Sequence, residues 1–240
     1  MDITGSVALV TGANRGIGRR FAEQLVERGA RKVYATARRP ELVDIPGVET
    51  LRLDITDAGS IEAAAAAAQD VTLLIDNAGI STRTSLLTSP LADLHRELDT
   101  HLWGTLGVIR AFAPILARTG GGVESATAVV NVLSALSWFV HPGANGYAIA
   151  KAAEWSMTNG VRMELEEQGT IVQALHLGAA DTDIMAGYEG QMIDPAEVAR
   201  QSLDGVEQGA MEVLVDDWSR FVKASLAKDP SDFYGQPLPI

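Results

Sequence analysis

Val7-Ala8-Leu9-Val10-Thr11-Gly12-Ala13-Asn14-Arg15-Gly16-Ile17-Gly18 decides the fold. A short run of core-type residues breaks into a glycine-rich turn and then into a helical pattern. Ile17, Phe21, Leu25 and Val26 form one apolar face, so a helix is predicted from Gly16 to Arg28, with Gly29 ending it in a left-handed cap. Glycines at 12, 16 and 18 permit a tight turn and let backbone N–H groups converge at the helix N-terminus, where aligned peptide dipoles favour an anion. A P-loop is excluded, because no Gly-Lys-Ser/Thr follows. A strand, turn and helix in this order instead suit the pyrophosphate of a dinucleotide. An ordinary glycine-rich turn would use similar residues, but the position directly after a first strand argues against it.

Outward from this unit, Val-, Ile- and Leu-rich runs recur at 7–11, 32–37, 48–53, 72–77, 128–134, 171–177 and 211–215, separated mostly by helical patterns. Such runs read as strands buried on both faces and alternating with covering helices. The expected fold is α/β: a single-domain, doubly wound Rossmann fold with a seven-stranded parallel sheet flanked by helices. Residues 1–125 would form the cofactor half and 126–240 the catalytic and substrate half. Asp57 caps an alanine-rich helix through Ala68, and 91–117 and 147–168 are the longest predicted helices. Their many small residues suit subunit contacts in a homodimer or homotetramer, and equally a well-packed monomer. The loop 120–127 and the tail 229–240, with its three prolines, are the expected flexible pieces.

Composition narrows the chemistry. The chain has 240 residues, 47% of them apolar, enough for one sizeable core, and it has no cysteine, which excludes disulfides and thiolate chemistry. A net charge of −12 argues against nucleic acid or an anionic membrane as partner. Four histidines without metal-ligand spacing argue against a metal site. With neither a signal-peptide pattern nor a long apolar span, a cytoplasmic protein is expected.

Any anion site must therefore be local. Strand two ends in Thr36-Ala37-Arg38-Arg39. In dinucleotide folds an acidic residue there binds the ribose hydroxyls, whereas arginine accommodates a 2′-phosphate. Arg38, with Arg15 from the glycine turn, favours NADP(H) over NAD(H); the alternative is a pair of solvated arginines.

Tyr147 and Lys151 share a helix face at i, i+4 spacing. A tyrosine is a poor acid or base at neutral pH until a neighbouring cation lowers its pKa from about 10. Four tyrosines and four lysines produce this spacing by chance about once in fifteen such chains, so the neighbours must decide. Ser134 ends the fifth predicted strand, where ligand sites gather in open α/β sheets, and its hydroxyl could hold a substrate oxygen beside Tyr147; a turn-capping role is the alternative.

These residues together resemble the short-chain dehydrogenase/reductase family over essentially the whole chain: Thr11-Gly12-x3-Gly16-x-Gly18, Asp54, Asp76-Asn77-Ala78-Gly79, Ser134 thirteen positions before Tyr147, and Lys151. The resemblance implies hydride transfer at a carbonyl carbon, with Tyr147 as proton donor or acceptor and Ser134 orienting the oxygen. It implies that Lys151 also binds the nicotinamide ribose, that Asp54 and Ile55 border the adenine, and that Asn77, Ala78 and Gly79 support the cofactor. Asn14 and Ile17 belong to the same cradle, as does Gly178, and Thr182 matches a threonine that touches the nicotinamide amide. The sequence departs from the pattern twice. His101 stands where the family has an asparagine that holds a relay water; with a pKa near 6.5 it could carry protons, or it could fill space. Leu177 replaces the proline that begins the substrate flap.

The segments 81–89, 136–142 and 183–193 follow strands four, five and six and should build the substrate side. Leu136, Trp138, Phe139, Ile184, Met185, Tyr188 and Met192 suggest an apolar, partly aromatic wall for a hydrophobic ketone or alcohol. The expected protein is an NADP(H)-dependent carbonyl reductase or alcohol dehydrogenase. A catalytically silent cofactor-binding regulator is the alternative, and a sugar-nucleotide epimerase or dehydratase would need more than the roughly 60 residues that follow Leu177.

Overall fold

A computed structural model of the protein describes residues 1–120 and 127–234. Seven parallel strands, β1 (Val7–Val10), β2 (Lys32–Ala37), β3 (Glu49–Arg52), β4 (Leu73–Asp76), β5 (Ala128–Val132), β6 (Ile171–His176) and β7 (Glu212–Leu214), form one sheet in the order β3-β2-β1-β4-β5-β6-β7. All seven expected strands are present. Alternation along β1 divides two cores: Ala8 and Val10 face a cluster containing Phe21, Leu25 and Leu203, whereas Val7 and Leu9 face one containing Val108, Phe112 and Leu116. With both faces covered, central strands read as continuous apolar runs. The edge strands depart from this expectation, since Glu49, Thr50 and Arg52 of β3 are exposed and β7 is only half-buried. An edge strand has one neighbour and fewer covering helices, so polar residues cost little there.

The glycine turn leads into α1 (Gly16–Glu27), and Gly29 adopts φ +78° as the predicted cap requires. Asp57 accepts a hydrogen bond from Gly59 N at the start of α2 (Ala58–Ala67). The single helix expected over 91–117 is instead three segments: α3 (Leu91–Leu98), a π-helical stretch Asp99–Gly104, and α4 (Thr105–Thr119). The wider turn puts Thr100, His101 and Gly104 on the buried side, and π-bulges of this kind often mark functional sites. The long α5 (Asn145–Glu164) carries Tyr147 and Lys151 past the C-terminal end of β5. Then come α6 (Pro195–Glu207), α7 (Asp217–Ser225) and the short α8 (Pro230–Tyr234). The tail expected to be loose is therefore ordered to Tyr234, with Phe233 buried; 235–240 and the loop residues 121–126 lie outside the described residues. Among the described residues no helix is long and apolar enough to cross a membrane.

At the end of β6, His176 is wholly buried, with its ring 3.9 Å from that of Trp138 in a stacked arrangement and Nδ1 3.0 Å from the Ser134 carbonyl. Burial pushes its pKa down from 6.5 to about 4. The unfolded chain thus takes up a proton that the folded protein refuses, so stability is full above pH 6.5 and falls as pH drops toward about 4. The loss is expected to reach roughly 3 kcal/mol. Thermal melting followed from neutral to acidic pH should show this slope in the wild type and a shallower one in His176→Gln; identical slopes would assign the acid sensitivity to other groups.

Candidate active site

Strand order reverses between β1 and β4, and the open ends of these strands are joined by side chains. Thr11 Oγ1 accepts from Asn77 N at 2.8 Å and Ala78 N at 3.0 Å, while Asn77 Nδ2 donates to Thr11 O at 2.9 Å and Gly12 O at 3.3 Å. The glycines follow from this closeness. Gly12 (φ +67°) and Gly16 (φ +56°) are left-handed, and a Cβ would come within 3.0 Å of Ala78 Cα at the first and 3.2 Å of Thr182 Cγ2 at the second.

Above this junction lies a cavity of about 550 Å³. At one end its wall includes Gly12, Asn14, Arg15, Gly16 and Ile17 from the glycine turn, with Arg38, Asp54 and Ile55 from the ends of β2 and β3. Asn77, Ala78 and Gly79 form the middle, and Gly178 and Thr182 the far side. Gly18 is the one expected cradle residue that does not line it. A Cβ there would overlap the Asn77 amide and the Gly12 carbonyl, so this glycine lets α1 start against the β1–β4 junction. Asp54 Oδ1 accepts from Thr56 N and Oγ1 at 3.0 and 2.7 Å. Burial would raise its carboxyl pKa, but the Thr56 bonds and the nearby Arg38 and Arg52 cations hold it below the ordinary value. Arg38 is exposed and makes no ion pair among the described residues, whereas Arg15 Nη1 bridges to Asp183 Oδ2 at 2.6 Å across the cavity mouth. The two expected phosphate ligands therefore differ: one is free, one is engaged.

The other end of the cavity gathers Ser134, Tyr147, Lys151 and His101. Ser134 caps the turn after β5, accepting from Leu136 N at 3.1 Å, and it lines the cavity together with Tyr147, so capping and site placement coexist. Lys151 Nζ donates to Val132 O at 2.7 Å and to Glu154 Oε2 at 2.6 Å, and lies 5.8 Å from the Tyr147 ring centroid. The His101 ring meets the Tyr147 ring edge-on at 5.1 Å. Burial would lower the Lys151 pKa, but Glu154, Tyr147 and Glu97 around it hold it above the ordinary value. Burial raises the Tyr147 pKa, and Lys151 offsets only part of that.

Much of the expected substrate wall lies elsewhere. Phe139 is buried against Val222, Phe233 and Trp218, with ring centroids 5.3 Å from Trp218 and 5.8 Å from Phe233. Trp138 stacks on His176, and Leu136 packs on the same aromatic cluster. The turn capped by Ser134 directs this segment toward the C-terminal helices, where Val140 N donates to Tyr234 Oη at 3.2 Å. Ile184 and Met185 do line the cavity, Tyr188 does not, and Met192 lines a separate depression beside Arg19 and Arg20. Leu177, in the family's proline position, is buried at the cavity edge. Arg83 Nη2 donates to the carbonyls of Ile184 and Ala186 at 3.3 and 2.5 Å, tying the loop after β4 to the flap.

Sequence reasoning missed Glu97 and Glu154. Both stand at helical spacing from residues already singled out, Glu154 three after Lys151 and Glu97 four before His101, and that spacing could have found them. Among the described residues no group of three acidic or histidine side chains is arranged to hold a metal ion.

Residues 6–192 match the family model described as short chain dehydrogenase. A short chain dehydrogenase from Burkholderia cenocepacia J2315, solved in complex with NADP, is 34% identical and superposes with a TM-score of 0.92 over 100% of both chains. The 3-oxoacyl-[acyl-carrier-protein] reductase FabG of Vibrio harveyi is 30% identical over 222 residues, 83% of this chain and 88% of the relative. The short chain dehydrogenase tazN of Aspergillus terreus is 30% identical over 204 residues, which are 79% of this chain but 44% of that protein. Gly18→Ala is expected to force α1 away from the β1–β4 junction and lower the melting temperature by about 5 °C or more. An unchanged melting curve would show that the helix can retreat without loss.

Proposed function

Because the chain belongs to the short chain dehydrogenase family, we propose that it is an NADP(H)-dependent oxidoreductase that interconverts a hydrophobic ketone or aldehyde with its alcohol. The observation that carries this reading is the convergence of Ser134, Tyr147 and Lys151 on one end of a cavity whose other end is the glycine cradle. The cradle fits a dinucleotide: its glycines leave no room for a Cβ, and N–H groups at the α1 N-terminus favour a pyrophosphate. Arg38 is free to receive a 2′-phosphate, and Arg15 can join it by exchanging Asp183 for that group. The NADP carried by the Burkholderia relative supports the same preference. Asn14, Ile17, Asp54, Ile55, Asn77, Ala78, Gly79, Gly178 and Thr182 would complete the cofactor contacts.

When bound, the nicotinamide supplies or accepts the hydride. The protein's part is acid–base and positional. The Ser134 hydroxyl donates to the substrate oxygen and holds it beside Tyr147. In reduction the phenol gives its proton to the oxygen as negative charge develops there; in oxidation the phenolate takes it back. The Lys151 ammonium stabilises the phenolate in both directions. Ile184 and Met185 supply apolar contact for the substrate, and with Trp138 and Phe139 directed elsewhere this wall is aliphatic rather than aromatic.

Turnover of NADPH against a panel of ketones, and of NADP against alcohols, tests the reaction. Tyr147→Phe is expected to lose at least about a hundredfold in kcat while binding NADPH within a few-fold of wild type. Tight NADPH binding with no turnover on any substrate would identify a silent cofactor-binding protein. Arg38→Asp is expected to weaken NADPH binding at least about tenfold and NADH binding little; equal effects on both would remove the 2′-phosphate assignment.

A further inference from the structure

Behind Tyr147 and Lys151 lies a set of buried ionisable groups that the reaction above does not use. Glu154, one turn beyond Lys151 on α5, is only 1% exposed. Its Oε2 accepts from Lys151 Nζ at 2.6 Å and lies 3.7 Å from His101 Nδ1, which has no hydrogen-bond partner among the described residues. On the other side of that imidazole, Nε2 is 2.8 Å from the Ile80 carbonyl and 3.5 Å from Glu97 Oε2. Glu97, from α3, is fully buried, and its Oε1 accepts from Thr82 N and Oγ1 at 2.5 and 2.7 Å. Asp76, at the end of β4, is the third buried carboxyl nearby, and its Oδ2 is unpartnered among the described residues.

We propose that Glu154 is a positioning residue for the acid–base step: it holds the Lys151 ammonium against the Val132 carbonyl and, as an anion behind that ammonium, sets the pH at which Tyr147 releases its proton. A cation beside a phenol favours the phenolate, and an anion just behind the cation cancels part of its field. The other groups facing the pair repeat this effect more weakly or not at all. Burial pushes the Asp76 carboxyl well up, toward its neutral form. Glu97 is anionic, since Thr82 and His101 overcome its burial, but it lies beyond the imidazole rather than against the ammonium. From the end of β5 the Val132 carbonyl accepts from Lys151, and just beyond it Ser134 presents a hydroxyl to the same cavity; neither carries a charge.

The inference rests on the reading of Tyr147 as the acid–base group, but its test uses neither cofactor nor substrate. The ionisation of Tyr147 can be followed as the tyrosinate ultraviolet absorbance of the protein minus that of its Tyr147→Phe counterpart. Replacing Glu154 by glutamine removes the opposing anion, so the Tyr147 midpoint should fall by about one pH unit or more, a tenfold change in ionisation constant. Glu154→Asp, which draws the carboxylate back by one methylene, should lower it by less, and it carries the test if the glutamine variant does not fold. A folded variant whose Tyr147 midpoint is unchanged overturns the proposal, because a carboxylate that merely filled the core would give that result; a raised midpoint overturns it too, because Glu154 would then act by keeping Lys151 charged and not by opposing its field. In turnover, the same downward shift should appear in the pH profile of kcat/KM for alcohol oxidation, with the KM for cofactor unchanged. Failure of all turnover would sink the proposed reaction while leaving the titration able to decide the role of Glu154.

Discussion

The parallel pairing of β1 with β4 is the constraint on which the site depends. The chain adds strands outward from β1 to β3 and then returns to begin again at β4, so the helices following β1 and β4 leave on opposite faces and a crevice opens between them. The strands can pair there only if the turns above them interlock, which Thr11 and Asn77 achieve with four hydrogen bonds. Close approach of two backbones then dictates glycine at 12 and 18. The same residues that floor the crevice thus also fasten the sheet, and a change in them acts on stability and binding together.

Legibility in the sequence followed burial and spacing. Central strands were readable because both their faces are covered, whereas β3 was found in spite of its exposed residues, through the regular recurrence of strands. The residues that line the cavity were readable because the fold fixes most of them at strand ends. The π-helical stretch at Asp99–Gly104 was not, since an i→i+5 turn leaves no distinct periodicity over six residues. Trp138 and Phe139 misled for a related reason: their segment does follow β5, but three residues of tight helix after Ser134 turn Phe139 onto α7 and α8 and Trp138 onto His176. Composition said that these residues bury apolar surface without saying where.

A buried ammonium is costly unless paired, and Lys151 has the Glu154 carboxylate at 2.6 Å and a second acceptor in the Val132 carbonyl at 2.7 Å. The π-helical stretch brings His101 close enough for its unpartnered nitrogen to face Glu154, so a departure in helix geometry and a departure in residue type occur at one point.

The clasp across the cavity mouth has a different character. Arg15 and Asp183 are 66% and 69% exposed, and an ion pair so wetted contributes at most about 1 kcal/mol. It joins the rigid glycine turn to the flap, yet thermal energy separates it readily, and dissolved salt weakens it further. The mouth is thus held in part by an easily broken bond: a doorway kept ajar by a spring too weak to detain an incoming polyanion, which would take over the arginine and leave the aspartate to water.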